Sequence, residues 1–155
     1  MIRLVEEKDI LEIVTIYKYY AENTAISFEY IAPDFHEFLQ RINKIKENYP
    51  FLVYEENHKI IGYAYASELK GRKAFNHSVE VSIYIDRDYR KSGIGKLLYN
   101  ELEKILKQWN VTNLYACIAY SDIEDETLNK TSIYFHEKLG YKHAGLFHKC
   151  GYRFN

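Results

Sequence analysis

An α/β fold, a mixed sheet covered by helices on both faces, is predicted for this chain by three observations. Segments of period-two and period-3.6 hydrophobicity run in the order strand, two helices, three strands, helix, strand, helix, strand. A strand at residues 79–86 passes through a glycine-containing turn into an amphipathic helix that reaches Trp109. With 155 residues, no Pro/Gly/Ser linker, no repeat and no low-complexity tract, the chain suits one domain over residues 1–155 with a single core.

Residues 2–5 read as a short strand. Asp9 opens a helical pattern carried by Ile10, Ile13, Val14 and Tyr17 and fading near Asn23. Pro33-Asp34 starts a second helix, with Asp34 as its cap and Phe35, Phe38, Leu39, Ile42 and Ile45 as its stripe; Tyr49-Pro50 ends it. Residues 51–55 and 60–67 are strands about a polar hairpin turn, and 79–86 is the third central strand. In the helix after Gly95, Leu98, Leu102, Ile105, Leu106 and Trp109 share one face. Residues 114–119 form a strand, 121–128 an acidic loop, 129–139 a helix stopped by Gly140, and 141–147 a last strand.

The junction at Arg90, Lys91, Ser92, Gly93, Ile94, Gly95 and Lys96 is the chemically informative segment. Backbone N–H groups at a helix start lack intrahelical partners, and the aligned peptide dipoles place partial positive charge there. Gly93 and Gly95 permit close approach and Arg90, Lys91 and Lys96 add cations, which together suit a pyrophosphate. A P-loop is excluded because one residue, not four, separates the glycines; the dinucleotide fingerprint is excluded because Leu98 stands where a small residue is needed. A solvated turn has the same composition, so the rest of the chain must decide.

Lys and Arg number 21 against 22 Asp and Glu, a balance that argues against a general binder of nucleic acid or anionic membranes. The first residues carry charge too early for a signal peptide and no apolar run reaches the length of a membrane span, so a cytoplasmic location is expected. Cys117 and Cys150 read as reduced thiols, and His143, His148 and Cys150 match no common metal spacing, so no metal is expected. Sixteen tyrosines and eight phenylalanines supply core and pocket lining.

The element order with Arg90-x-x-Gly93-x-Gly95 resembles the GNAT superfamily of N-acetyltransferases over the whole chain. It is similar in particular to the phosphinothricin and methionine sulfone acetyltransferase branch. That likeness lies in Asn23-Thr24-Ala25-Ile26-Ser27-Phe28-Glu29, in Arg72-Lys73-Ala74-Phe75 with Val79-Glu80-Val81-Ser82-Ile83-Tyr84-Ile85, and in Phe135-His136-Glu137-Lys138-Leu139-Gly140-Tyr141. The resemblance implies a mostly antiparallel central sheet, acetyl-CoA as cosubstrate, a small amino-acid-like amine as acceptor, and direct attack in a ternary complex. It also implies one more strand beyond Asn155, inserted between the last two strands of this chain. Without that strand, open edges are expected to favour a homodimer.

Glu80 occupies the position of the branch's proposed base, which would deprotonate the substrate ammonium; alternation puts it with Ser82 and Tyr84 on the face opposite Val79, Val81, Ile83 and Ile85. A partnered structural Glu is the other reading. Asn129, Ser132 and His136 share one side of a helix, where the resemblance implies contact with the CoA arm and, for His136, protonation of the departing thiolate; a solvent-facing His is the alternative. The backbone of Ile83, Tyr84 and Ile85 would hydrogen-bond pantetheine, and residues 90–96 the phosphates. Arg72 could fork onto an acceptor carboxylate or be a solvated loop charge, with Phe28 and Phe75 as pocket walls. The acidic loop raises the option of cationic acceptors. A polyamine or protein N-terminus as acceptor, and a CoA-binding module without turnover, are the rival functions.

Overall fold

The computed structural model describes residues 1–151 and Phe154. It divides into two compact units, one of Met1–Tyr17 with Pro33–Cys117 and one of Lys18–Ala32 with Ile118–Asn155. The first holds a five-stranded sheet in sequence order: β1 (Ile2–Leu4), β2 (Phe51–Glu56), β3 (Lys59–Glu68), β4 (Ser78–Ile85) and β5 (Asn113–Tyr115). Three junctions are antiparallel; the last, β4 with β5, is parallel. The β2–β3 turn is tighter than its polar sequence suggested. Asn57 and His58 both adopt positive φ, 50° and 62°, as a two-residue turn matched to strand twist requires, so the ladder runs out to Glu56 and Lys59.

Register sorts the side chains by face. Phe51, Tyr63, Tyr65 and Tyr84 lie on one side, with ring centroids 4.9 Å apart for Phe51–Tyr65 and 5.3 Å for Tyr63–Tyr84. Helix α1 (Ile10–Asn23) covers this stack through Tyr17, whose ring meets Tyr84 at 5.2 Å, and α2 (Phe35–Lys46) adds Phe38 against Tyr17 at 5.3 Å. Asp34 caps α2 as expected, accepting from the Glu37 N–H at 2.9 Å. The opposite face presents Leu52, Ala64, Ala66, Val79 and Val81, all buried, and α3 (Ile94–Gln108) packs its Leu98, Leu102 and Leu106 there against β2, β3 and β4. The alanines on β3 allow a helix to approach closely. Gly62 does the same within the sheet: a Cβ there would sit 2.5 Å from Ile85 Cδ1 and 3.0 Å from the Tyr84 carbonyl oxygen.

The second unit contains the end of α1, α4 (Thr131–Lys138) and long irregular segments. The Ala25 N–H donates to the Thr127 carbonyl at 2.9 Å, and Asp125 Oδ1 accepts from the N–H groups of Thr127 and Leu128 and from the Thr127 hydroxyl. The acidic loop is thus folded on its own backbone. Gly140, at φ 93°, ends α4: the N–H of Tyr141 reaches the His136 carbonyl and that of Gly140 the Glu137 carbonyl, which satisfies two terminal acceptors.

Two expectations are corrected. The strand expected at 114–119 pairs only over Asn113–Tyr115, and residues 141–147 form no strand. Alternation makes a segment suited to a ladder, but a ladder needs a neighbour to exchange backbone hydrogen bonds with, and among the described residues none runs beside 141–147. The further strand expected past Asn155 lies outside the described residues, as do Tyr152, Arg153 and Asn155.

One ion-pair cluster ties β1 to the approach of α1. Arg3 donates to both carboxylate oxygens of Asp9, at 2.7 and 2.8 Å, and to Glu55 on β2, while Asp9 also accepts the Glu6 N–H at 2.8 Å. Burial acts to raise the Asp9 pKa, but the Arg3 and Glu6 donors outweigh it and hold the carboxyl below its ordinary 3.8. The stabilisation is therefore complete above that value and is lost as pH falls through the lowered one. Asp9→Asn should cost about 1–3 kcal/mol in denaturant unfolding at pH 7, and its difference from the parent should shrink below about pH 4. A difference independent of pH would contradict the ionic account.

Candidate active site

The end of β4 is steered into α3 by a short series of local bonds. Asp86 is held by Lys59 at 2.9 Å and accepts the Asp88 N–H at 3.1 Å, which starts a single 3-10 turn at Arg87–Tyr89. The Ser92 hydroxyl then donates to the Tyr89 carbonyl at 2.6 Å. Lys91 and Gly93 take positive φ, 64° and 84°, and at Gly93, the N-cap of α3, that geometry is glycine's own. Since Gly93 has no side chain to cap the helix, and the first intrahelical bond is Leu97 N–H to Gly93 O at 3.2 Å, the N–H groups of Ile94, Gly95 and Lys96 lack intrahelical acceptors. Ile94 is buried and anchors the turn, while Arg90, Lys91 and Lys96 are exposed around it. The arrangement fits the diphosphate of acetyl-CoA: uncapped donors at the positive end of a helix, ringed by cations.

Glu80, Ser82 and Tyr84 do lie on one face of β4, and Ile83 and Ile85 on the other. Glu80 is half-buried, opposite Ser67 on β3 and Tyr115 on β5. β3 accompanies β4 from Val79 to Ile85, whereas β5 accompanies it only from Ser78 to Glu80. The parallel ladder therefore stops at the carboxylate, and the stretch containing Ile83 runs on toward the α3 turn bordered in the sheet by β3. Arg72 and Phe75 are both exposed, Arg72 as the N-cap and Phe75 as the last residue of a one-turn 3-10 segment before β4. All of these residues belong to the first unit.

Cys117 lies two residues past the end of β5 and is exposed; desolvation first, then the Glu80 charge, push its thiol pKa above the ordinary value.

The remaining candidates belong to the second unit. His136 is buried, its Nδ1 2.7 Å from the Ser132 carbonyl oxygen, so Nδ1 carries the proton and donates. Burial lowers the His136 pKa, with the Ser132 carbonyl opposing, and the ring packs edge-on against Tyr141 at 5.2 Å. Half-buried Ser132 sits one turn earlier on the same side. Asn129 is exposed, and its side-chain oxygen accepts the Thr131 N–H at 3.0 Å, which engages it in starting α4. Phe28 is about half exposed, and a Cβ on Gly151 would meet its ring at 2.8 Å. Among the described residues no three His, Cys, Asp or Glu side chains converge as a metal site would need, and no helix is long and apolar enough to cross a membrane.

Comparison with known proteins agrees with this geometry. The family model described as Acetyltransferase (GNAT) domain matches residues 2–155. A phosphinothricin N-acetyltransferase of Alcaligenes faecalis is 30% identical over 154 residues, covering 99% of this chain and 75% of its own length. Among solved structures, a GNAT superfamily phosphinothricin acetyltransferase from Sinorhizobium meliloti in complex with AcCoA superposes with a TM-score of 0.90 at 31% identity, covering 99% of this chain and 80% of that one. A ribosomal-protein-alanine N-acetyltransferase from Brucella melitensis gives 0.88 at 29%, covering 99% and 91%. The strand, turn and helix that present uncapped amides between basic side chains are thus those of an acetyl-CoA-dependent acetyltransferase, and the chain belongs to the GNAT family.

Proposed function

We propose that this enzyme transfers the acetyl group of acetyl-CoA to the primary amine of a small amino-acid-like substrate of the phosphinothricin or methionine sulfone type. The observation that carries the reading is the placement of Glu80: a half-buried carboxylate at the point where the β4–β5 ladder ends, on the strand that leads into the α3 turn. An alkylammonium ion has no lone pair. Glu80, directly or through a water, takes its proton, and the free amine attacks the thioester carbonyl. Backbone groups of Ile83, Tyr84 and Ile85 align the pantetheine arm, and residues 90–96 hold the phosphates. Asn129 and Ser132 on α4 serve the CoA arm.

Attack is direct, in a ternary complex. Only the thiolate of a cysteine is a competent acyl acceptor, and the Cys117 thiol is pushed toward its protonated form by desolvation and by the Glu80 charge. His136 is the group assigned to protonate the departing thiolate; its lowered pKa makes the imidazolium scarce at neutral pH, so this step leans on a minor form. The Arg72 guanidinium receives the acceptor's carboxylate through two parallel hydrogen bonds, with Phe75 and Phe28 lining its side chain. The likeness to the Brucella melitensis enzyme favours one second reading, a protein N-terminal amine as acceptor. The short edge strand β5 supports a homodimer, which sedimentation will show or exclude.

Thiol release from acetyl-CoA across amino acid analogues, polyamines and N-terminal peptides should be fastest with the amino acid analogues. Release with peptides alone would move the assignment to the second reading, and binding without release to a CoA-binding module. Glu80→Gln should lower kcat by about 10² to 10⁴ with the acetyl-CoA KM little changed, most at low pH where the amine is scarcest without a base. Arg90→Ala should raise the acetyl-CoA KM about tenfold, the loss of one charge-assisted contact, and leave kcat at saturation intact. An effect of Arg90→Ala on the acceptor KM alone would contradict the phosphate assignment.

A further inference from the structure

The turn between β4 and α3 is tied back to the sheet by a side chain from outside it. Lys59 opens β3 directly after the two-residue turn at Asn57 and His58, and its place is set on both sides: it pairs with Glu56 across the ladder, and the next N–H, that of Ile60, donates to Glu12 Oε2 on α1 at 2.9 Å. From there the ammonium reaches Asp86 Oδ2 at 2.9 Å and stands over the Tyr89 ring, 5.1 Å from its centroid. Asp86 is the N-cap and Tyr89 the last residue of the 3-10 turn at Arg87–Tyr89, so one cation grips both ends of it. The Asp86 N–H donates to the Ile61 carbonyl at 2.8 Å, and the Tyr89 N–H to the Asp86 carbonyl at 2.9 Å. The Ser92 hydroxyl hangs from the Tyr89 carbonyl at 2.6 Å, one residue before the Gly93 N-cap. A continuous series of contacts thus leads from Lys59 to the first amides of α3.

We propose that Lys59 is a positioning residue for the acetyl donor: by holding Asp86 and Tyr89 together it fixes the turn whose amides and cations grip the diphosphate of acetyl-CoA. The role rests on residues 90–96 as the phosphate site. Two effects act in the same direction. The first is geometric: helix-start amides attract an anion where they converge on it, and the positive-φ bend at Lys91 and Gly93 aims them only as well as the chain before it is fixed. The second is charge. The turn leading to this anion site contains two carboxylates, and Lys59 neutralises that of Asp86 while Arg87 Nε lies 3.6 Å from that of Asp88. The Asp86 hydrogen bond raises the Lys59 pKa; burial acts to raise that of Asp86, but the Lys59 and Asp88 donors outweigh it, so both partners are charged at neutral pH. Lys59 acts just past the end of β4, away from Glu80, so it bears on donor binding and not on the proton step.

Calorimetry with CoA and steady-state kinetics on the full chain test the role. Lys59→Met keeps an unbranched stem and removes the charge; it should raise the CoA Kd and the acetyl-CoA KM about threefold to tenfold, the loss of one partly exposed charged contact and its ring partner, with kcat at saturating donor and the acceptor KM unchanged. Lys59→Arg keeps the charge, can donate to a carboxylate and can stack on a ring, and should restore most of the affinity. Tyr89→Phe should bind CoA like the parent and Tyr89→Leu about threefold more weakly, because the ring face is the part used. In an Asp86→Asn background, Lys59→Met should cost less than it does in the parent. A loss that falls on kcat or on the acceptor KM, or an Arg variant as weak as Met, overturns the role. If Arg90→Ala weakens CoA binding while Lys59→Met binds it like the parent, the positioning role is wrong and the phosphate assignment stands. If Arg90→Ala also binds CoA like the parent, the phosphate assignment falls and this role with it.

Discussion

Parallel pairing of β4 with β5 over three residues constrains everything that follows in the first unit. Two adjacent parallel strands cannot be joined by a tight turn; they need a crossover, and here that crossover is α3. Because a crossover helix must begin at the end of the strand it follows, the N-terminus of α3 is delivered to the C-terminal end of β4. The unsatisfied amides of Ile94, Gly95 and Lys96 are then a consequence of topology, and the Gly93 conformation is what lets the chain reverse tightly enough to present them. Ending the ladder at Glu80 adds the second half: the carboxylate proposed as base stands where the sheet stops being continuous, with the stretch proposed to bind the donor beyond it on the same strand. Glu80 and the N-terminal turn of α3 are therefore indexed to each other by a single strand.

The two faces of that strand are asked for different things. Toward α3, Val79 and Val81 are buried against Leu98, Leu102 and Leu106, which clamps the backbone of β4. On the other face, Glu80 and Ser82 precede Tyr84, which is locked by Tyr17 and Tyr63. A carboxylate on a wholly apolar face would be costly; here it is half-buried, opposite Ser67 on β3 and at the end of the β5 ladder. Rigidity comes from the aromatic end of the strand, and its polar end carries the carboxylate proposed as the base.

Much of this was legible in the sequence because the signals are local. Alternation along residues 79–86, the helical stripe after Gly95 and the capping role of Asp34 each follow from a few neighbouring residues, and each element formed where they placed it. The strand expected at 141–147 did not form, since pairing is a property of two segments and the composition of one cannot supply the other. His136 shows a related limit. Its position on α4 was readable, but the burial that lowers its pKa arises from packing with Tyr141 and its neighbours, which helical spacing does not encode. Asn129 was placed on the right turn of chain, yet its amide is engaged by the Thr131 N–H, a choice made by the local geometry of the helix start.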